Sequence, residues 1–486
     1  MTDKLDLRRL ATGVPGLDTI LGGGLPELSF NIIGGAPGSG KTTFAQQIMF
    51  GLAAPDRKAL FFTAMGEPPV KMLRYQQQFS FFDFDKIGSS IEFISLAPQV
   101  EEGNYDAVLA QILEQVRLHK PALVFIDSFR SFVEGARGEQ TEIAELQTFV
   151  QKLVAHMTTW RATSFLIGEY TNNEADRNPI FTVADGIIWL SQYVQRNTMS
   201  RKIQVVKIRG QKQRPGLHPF RIDRDGIEVF ARILPGAAPL GARPPVPLPP
   251  PRLSTGVPTL DDMLDGGIPA GYTVLIVGPT GSGKTMLATE FLAAGAANGE
   301  TGVIALFERS PAQMMNEKLD RLVSTGRVSM LSVRALDLST DEMLHELIGR
   351  IDSTGATRVV LDSLSGFEMA LAPEYREDFR DSLYRLTAVL ATKGVTIVMT
   401  SEMEDRFHEL RFSPYGSGVL VDAVIVQRYV ELQCELRTLI GVVKVRGSKH
   451  SRQLRDFAIT DTGIEIGDTA APYDGVLLGN AQLRGG

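Results

Sequence analysis

The chain has 486 residues, 43% hydrophobic and 22% charged, with a net charge of −6. That length exceeds one ordinary core, so two or three domains are expected of a soluble globular chain. The acidic balance argues against a large basic face for nucleic acid, and the one cysteine, Cys434, excludes an internal disulfide or a cysteine-built zinc site.

The N-terminus, "MTDKLDLRRL", is charged and has no apolar signal core. No apolar run approaches the roughly 18–20 residues of a membrane span. The expectation is a cytoplasmic protein with no membrane segment.

In chain order, "TGVPGLDTILGGGLP" (12–26) comes first. The short apolar run "SFNIIGG" then ends in glycine, as a buried parallel strand does. "GGAPGSGKTT" (34–43) follows, and "KTTFAQQIMFGLA" has the apolar spacing of a helix. "PALVFID" and "ATSFLIGE" read as further buried strands. "VVKIRG" (205–210) and "FRIDRDGIEV" (220–229) close the half, with "RDG" as a hairpin turn.

A Pro-rich segment, 234–251, separates this half from a second one. It lacks amide donors and favours an extended spacer. The landmarks then repeat in the same order. "TGVPTLDDMLDGGIP" (255–269) and "VGPTGSGKTM" (277–286) lie 243 positions after their counterparts. "TRVVLD", "GVTIVMTSE", "VVKVRG" (442–447) and "FAITDTGIEI" (457–466) follow. This is duplication of a whole domain: 1–233 and 252–486 around the linker. Strands alternating with helices predict an α/β fold, two mostly parallel sheets flanked by helices, with ligands at the C-terminal sheet edge.

Both glycine-rich loops satisfy G-x-x-x-x-G-K-[ST]. One chance match arises in about one chain in fifty of this length. Two in register, each after a strand and before a helix, set chance aside. The first site comprises Gly35, Ala36, Pro37, Gly38, Ser39, Gly40, Lys41, Thr42 and Thr43. The second comprises Gly278, Pro279, Thr280, Gly281, Ser282, Gly283, Lys284, Thr285 and Met286. Glycines let backbone N–H groups converge on phosphate oxygens, and the helix N-terminus adds positive potential. Lys41 and Lys284 would reach the β- and γ-phosphates of ATP. Thr42 and Thr285 would place a hydroxyl on Mg²⁺. Asp127 and Asp362, each ending an apolar strand, are the expected Mg²⁺-side carboxylates.

Hydrolysis also needs a group to position water. The offset of 243 aligns "AMGEPPVKM" (64–72) with "FERSPAQMM" (307–315). Glu308 therefore stands where the first half has Met65, which cannot accept a proton. Glu67 lies two residues further on. The second half is expected to hydrolyse ATP and the first mainly to bind it, although Glu308 also reads as a solvated strand-end charge. The pairs Lys207 and Arg209, and Lys444 and Arg446, each share one strand face. They suit either an exposed basic edge or an arginine-finger arrangement reaching a neighbour's γ-phosphate.

These repeated motifs together resemble the KaiC family of tandem RecA-like P-loop NTPases. The resemblance spans roughly residues 10–468. It implies a homo-hexameric double ring with ATP between subunits, and a signalling protein as partner. It also leaves Ser/Thr autokinase activity of the second domain open. Three features depart from the family pattern. The usual pair of glutamates is Met65-Gly66 in one half and Glu308-Arg309 in the other. The Ser-Thr pair of clock-type members falls on Gly418 and Val419, counted back from Asp422, with Ser417 displaced by one. The chain ends about 18 residues after "GIEIGD", short of the tail on which KaiA acts in clock-type members. KaiA is therefore not expected as a partner, while a KaiB-like partner stays open. The competing expectations are an ATP-held scaffold without turnover and a RecA- or DnaB-like DNA-acting ATPase.

Overall fold

The computed structural model describes residues 8–64, 69–128, 140–170, 180–195, 198–233, 249–307, 316–332, 339–371, 379–403, 420–432, 435–460, 463–469, 473–474 and 482–483. Most of the linker, and the positions of Met65, Gly66, Glu67, Glu308, Arg309, Ser417, Gly418, Val419 and Cys434, lie outside them. The chain divides into two compact units, Met1–Arg232 and Ile233–Gly486.

The first unit holds a nine-stranded sheet. Its strands are β1 (Phe30–Gly35), β2 (Ala59–Thr63), β3 (Ile91–Ser95), β4 (Leu123–Asp127), β5 (Thr163–Glu169), β6 (Gly186–Gln195), β7 (Thr198–Ile208), β8 (His218–Asp223) and β9 (Gly226–Val229). Their spatial order is β3-β2-β4-β5-β1-β6-β7-β8-β9. Strands β1 to β6 are mutually parallel, and β7 to β9 continue as an antiparallel meander.

The second unit repeats this with β10 (Thr273–Gly278), β11 (Gly302–Leu306), β12 (Val328–Ser332), β13 (Arg358–Asp362), β14 (Thr396–Glu402), β15 (Ala423–Leu432), β16 (Glu435–Val445), β17 (Arg455–Thr460) and β18 (Gly463–Thr469). The order is β12-β11-β13-β14-β10-β15-β16-β17-β18, the first sheet with nine added to every label. The strands on either side of "RDG" and "DTG" pair antiparallel, Asp223 opposite Gly226 and Thr460 opposite Gly463.

Continuous apolar strands need cover on both faces, because successive side chains point to opposite sides. In the first sheet Ile33, Phe61, Phe125 and Phe165 face one core, with Phe44, Ile48 and Met49 of helix α1 (Lys41–Leu52). Ile32, Phe62, Val124 and Leu166 face the other, with α2 (Tyr105–His119) and α3 (Gln140–Met157). Phe125 and Phe165 stack with ring centroids 4.5 Å apart.

The second sheet is covered in the same way. Helices α4 (Lys284–Ala297) and α5 (Glu317–Ser324) pack on one face. Helices α6 (Thr340–Thr354), α7 (Leu364–Ala370) and α8 (Phe379–Thr392) pack on the other. Helix α6 starts at a capping box. The Ser339 hydroxyl accepts from the Glu342 N–H at 3.1 Å, and the Glu342 carboxylate accepts from the Ser339 N–H at 3.4 Å.

The repeated "TGVPxLD" motif is architectural. Thr12 donates its hydroxyl to Asp18 at 2.7 Å, and Thr255 does the same to Asp261 at 2.7 Å. A Cβ on Gly13 would lie 3.0 Å from Cα of Gly51 in α1, so the motif closes against the helix that follows the P-loop.

Candidate nucleotide site

Each P-loop leaves a buried central strand and turns directly into a helix. Gly40 and Gly283 cap these helices with φ of 97° and 92°. A Cβ there would meet Ile222 Cδ1 at 2.6 Å in one domain and Ile459 Cδ1 at 2.8 Å in the other. The left-handed backbone requires glycine at both positions, and any Cβ there would also displace the isoleucine ends.

The two lysines fold back over their loops. Lys41 Nζ donates to the Ala36 carbonyl at 2.8 Å. Lys284 Nζ donates to the carbonyls of Gly278 and Pro279 at 3.0 and 2.8 Å. These carbonyls hold the ammonium in the concavity of the loop, where the P-loop motif puts phosphate.

Thr42 Oγ1 donates to Asp127 Oδ2 at 2.6 Å, and Thr285 Oγ1 to Asp362 Oδ2 at 2.7 Å. A hydroxyl and a carboxylate brought together by neighbouring elements form a hard oxygen donor set. It suits Mg²⁺, which keeps waters and takes one or two carboxylates with phosphate oxygens.

The surroundings of the two aspartates differ. Thr400 Oγ1 also donates to Asp362, whereas the matching strand position in the first domain is Ile167. Burial pushes Asp127 up to about 6; the Thr42 hydrogen bond and Lys41 pull it down, and Glu169 pushes it up. A cis peptide bond follows each aspartate, Asp127-Ser128 and Asp362-Ser363.

Two carboxylates at this edge did not emerge from motif reasoning. Glu169 ends β5 opposite Gly35, and Glu402 ends β14 opposite Gly278. Glu169 Oε1 lies 3.8 Å from Lys41 Nζ. Glu402 Oε1 accepts from the Thr280 hydroxyl at 2.8 Å. The signal was present, since both "ATSFLIGE" and "GVTIVMTSE" carry an acid at the end of a buried strand.

The basic pairs lie elsewhere. Lys207 stands opposite Ile187, which stands opposite Ile32, three residues short of Gly35. That is about 10 Å back along the sheet. The Lys207 amine turns further away, to the carbonyls of Phe181 and Thr182 at 3.3 and 2.8 Å. Arg209 bonds Asp185 at 3.1 Å. In the second domain Lys444 donates to the Val421 carbonyl at 2.8 Å, and Arg446 to Asp422 at 3.4 Å. Burial, then the adjacent arginine, holds Lys207 and Lys444 below the usual lysine range, against the pull of Asp185 and Asp422. Each pair therefore occupies the end of its sheet opposite its own P-loop.

A cavity of about 480 Å³ opens beside the second P-loop, between Gly281, Ser282 and the meander residues Arg437, Phe457 and Ile459.

Fold and loops together define a class, tandem RecA-like P-loop NTPase domains. A family model for the KaiC ATPase matches residues 10–233 and again 253–471. The chain belongs to the KaiC family of ATPases. It is 26% identical over 489 residues to the circadian clock oscillator protein KaiC of Prochlorococcus marinus, covering 98% of this chain and 95% of that one. It is 25% identical to the KaiC of Parathermosynechococcus lividus, covering 96% of this chain and 87% of the relative. It is 26% identical to KaiC 1 of a Synechocystis strain, covering 98% and 92%.

Proposed function

We propose that this chain is an ATP-hydrolysing regulatory protein that assembles as a hexameric double ring, with Mg·ATP held between subunits. The observation that carries the reading is the separation just described. Each domain bears a phosphate loop with its Thr–Asp metal pair at one sheet end, and a Lys–Arg pair at the other. Such a domain completes its site only when a neighbour in a closed ring presents the opposite edge. Lys207 and Arg209, or Lys444 and Arg446, then neutralise charge developing on the neighbour's γ-phosphate.

A magnesium ion would be held by Thr42 with Asp127 and by Thr285 with Asp362, and would supply positive charge against the phosphates. Lys41 and Lys284 orient the γ-phosphoryl group, and Glu308 takes the proton of the attacking water in the second domain. The first domain binds nucleotide chiefly for assembly and turns it over slowly. Ser417 is the acceptor this reading offers for autophosphorylation. The usual phosphosite pair is replaced by Gly418 and Val419, so this reading includes no phosphorylation on that pair.

The test is ADP release from Mg·ATP by the chain and by Glu308→Gln. Turnover is expected to fall at least about tenfold. Unchanged turnover would overturn the division between domains. Binding without turnover in both proteins would favour the scaffold, for which Met65 in the first half is the supporting observation.

A further inference from the structure

Two sequence differences between the domains bear on how the first one could hold water. The position of Glu308 is Met65 in the first domain, and the position of Thr280 is Pro37. In the second domain the Thr280 hydroxyl holds Glu402 against the loop at 2.8 Å. Proline has no hydroxyl, and the equivalent glutamate, Glu169, lies instead 3.8 Å from the P-loop lysine. Its side chain is 29% exposed, so water reaches it, while Lys41 is buried.

We infer that Glu169 is the water-holding carboxylate of the first domain, replacing the glutamate missing at Met65. The inference rests on the reading that both P-loops bind ATP. An ammonium in contact with a γ-oxygen sits about 2.8 Å from it. A carboxylate 3.8 Å from that ammonium, at a roughly tetrahedral angle to the phosphate oxygen, lies about 5 Å from that oxygen, a gap that one water fills. The water oxygen bonds to the γ-phosphorus as the bond to the β,γ-bridging oxygen breaks. ADP leaves with that electron pair, and the water's proton passes to Glu169 and on to solvent. Strand β5 is central in the sheet, so the carboxylate is carried by a rigid element next to the P-loop strand.

The experiment uses the full chain with its second site silenced in two ways, Lys284→Ala and Glu308→Gln. Phosphate release from Mg·ATP is measured in each background with and without Glu169→Gln, alongside binding of a fluorescent ATP analogue. The residual turnover is expected to fall at least about tenfold, with affinity changed less than about twofold, because Gln keeps the shape but not the base. Pro37→Thr is expected to lower the same turnover by offering Glu169 the hydroxyl that Glu402 has. Unchanged kcat in Glu169→Gln would overturn the inference. So would residual turnover no higher than in the Lys41→Ala/Lys284→Ala double variant. Loss of analogue binding by both P-loops in the parent chain would instead mark failure of the underlying nucleotide reading.

Discussion

At the residue scale the two sites are unequal copies. Asp362 receives hydroxyls from Thr285 and Thr400, while Asp127 receives one from Thr42 and faces Glu169 nearby. Burial raises Asp127 to about 6, above its unfolded value of about 3.9. A raised carboxyl contributes stability that is fully present below the unfolded value and is lost as pH rises through the folded one. The ligand-free protein therefore carries a cost of about 3 kcal/mol at pH 7 from this group. Asp127→Asn should raise the melting temperature of ligand-free protein at pH 7 and flatten its dependence between about pH 4 and 6. The same variant should weaken Mg·ATP binding to the first site. Thermal melts across that range, with and without Mg·ATP, measure both effects.

At the element scale the second domain carries a staple the first lacks. Arg358 opens β13, and Leu123 opens the equivalent β4. The Arg358 guanidinium is buried and bonds Glu300 at 2.9 and 3.1 Å, with the carbonyls of Ser254 and Phe291 at 2.8 and 2.7 Å. Burial would raise the Glu300 carboxyl, but hydrogen bonds from Arg358 and Thr357 prevail and hold it low. A depressed carboxylate contributes stability present above its unfolded value of about 4.3, lost as pH falls through the folded one. Glu300→Ala leaves a buried cation unpaired and should cost about 3 kcal/mol or more, read from denaturant melts of the second domain. Loss of the α6 cap in Ser339→Ala should cost about 1 kcal/mol in the same experiment.

At the scale of the whole molecule the duplication is the dominant fact. Two sheets with one strand order place two loops at C-terminal edges and two basic pairs at N-terminal ends. Among the described residues no helix is long and apolar enough to cross a membrane. In the proposed ring, Arg446→Ala should lower turnover by about 10³-fold while leaving ATP analogue binding within a few-fold, because the guanidinium acts chiefly in the transition state. Light scattering should show assembly that depends on Mg·ATP. DNA binding that weakened steeply with salt would favour the DNA-acting alternative, and none is expected at a net charge of −6.

The local alphabet sufficed for the loops, the strands that end in Asp127 and Asp362, and the duplication. Glycines at φ near 90°, a lysine at a helix start and apolar strands ending in Asp are requirements of backbone and phosphate that have few other spellings. The acid at the end of β5 or β14 has many, since a strand-end glutamate is usually a solvated charge. What Glu169 and Glu402 do is decided by parallel pairing with the P-loop strands, across a sequence separation of more than 100 residues. The basic pairs show the same limit. Their spacing suggests one strand face, but Arg209 and Arg446 follow the last residues of β7 and β16, and only the antiparallel return of those strands puts each pair at the end of the sheet away from its own phosphate loop. Chemistry written within a few residues is legible along the chain; chemistry assembled between strands depends on register, which tertiary packing sets.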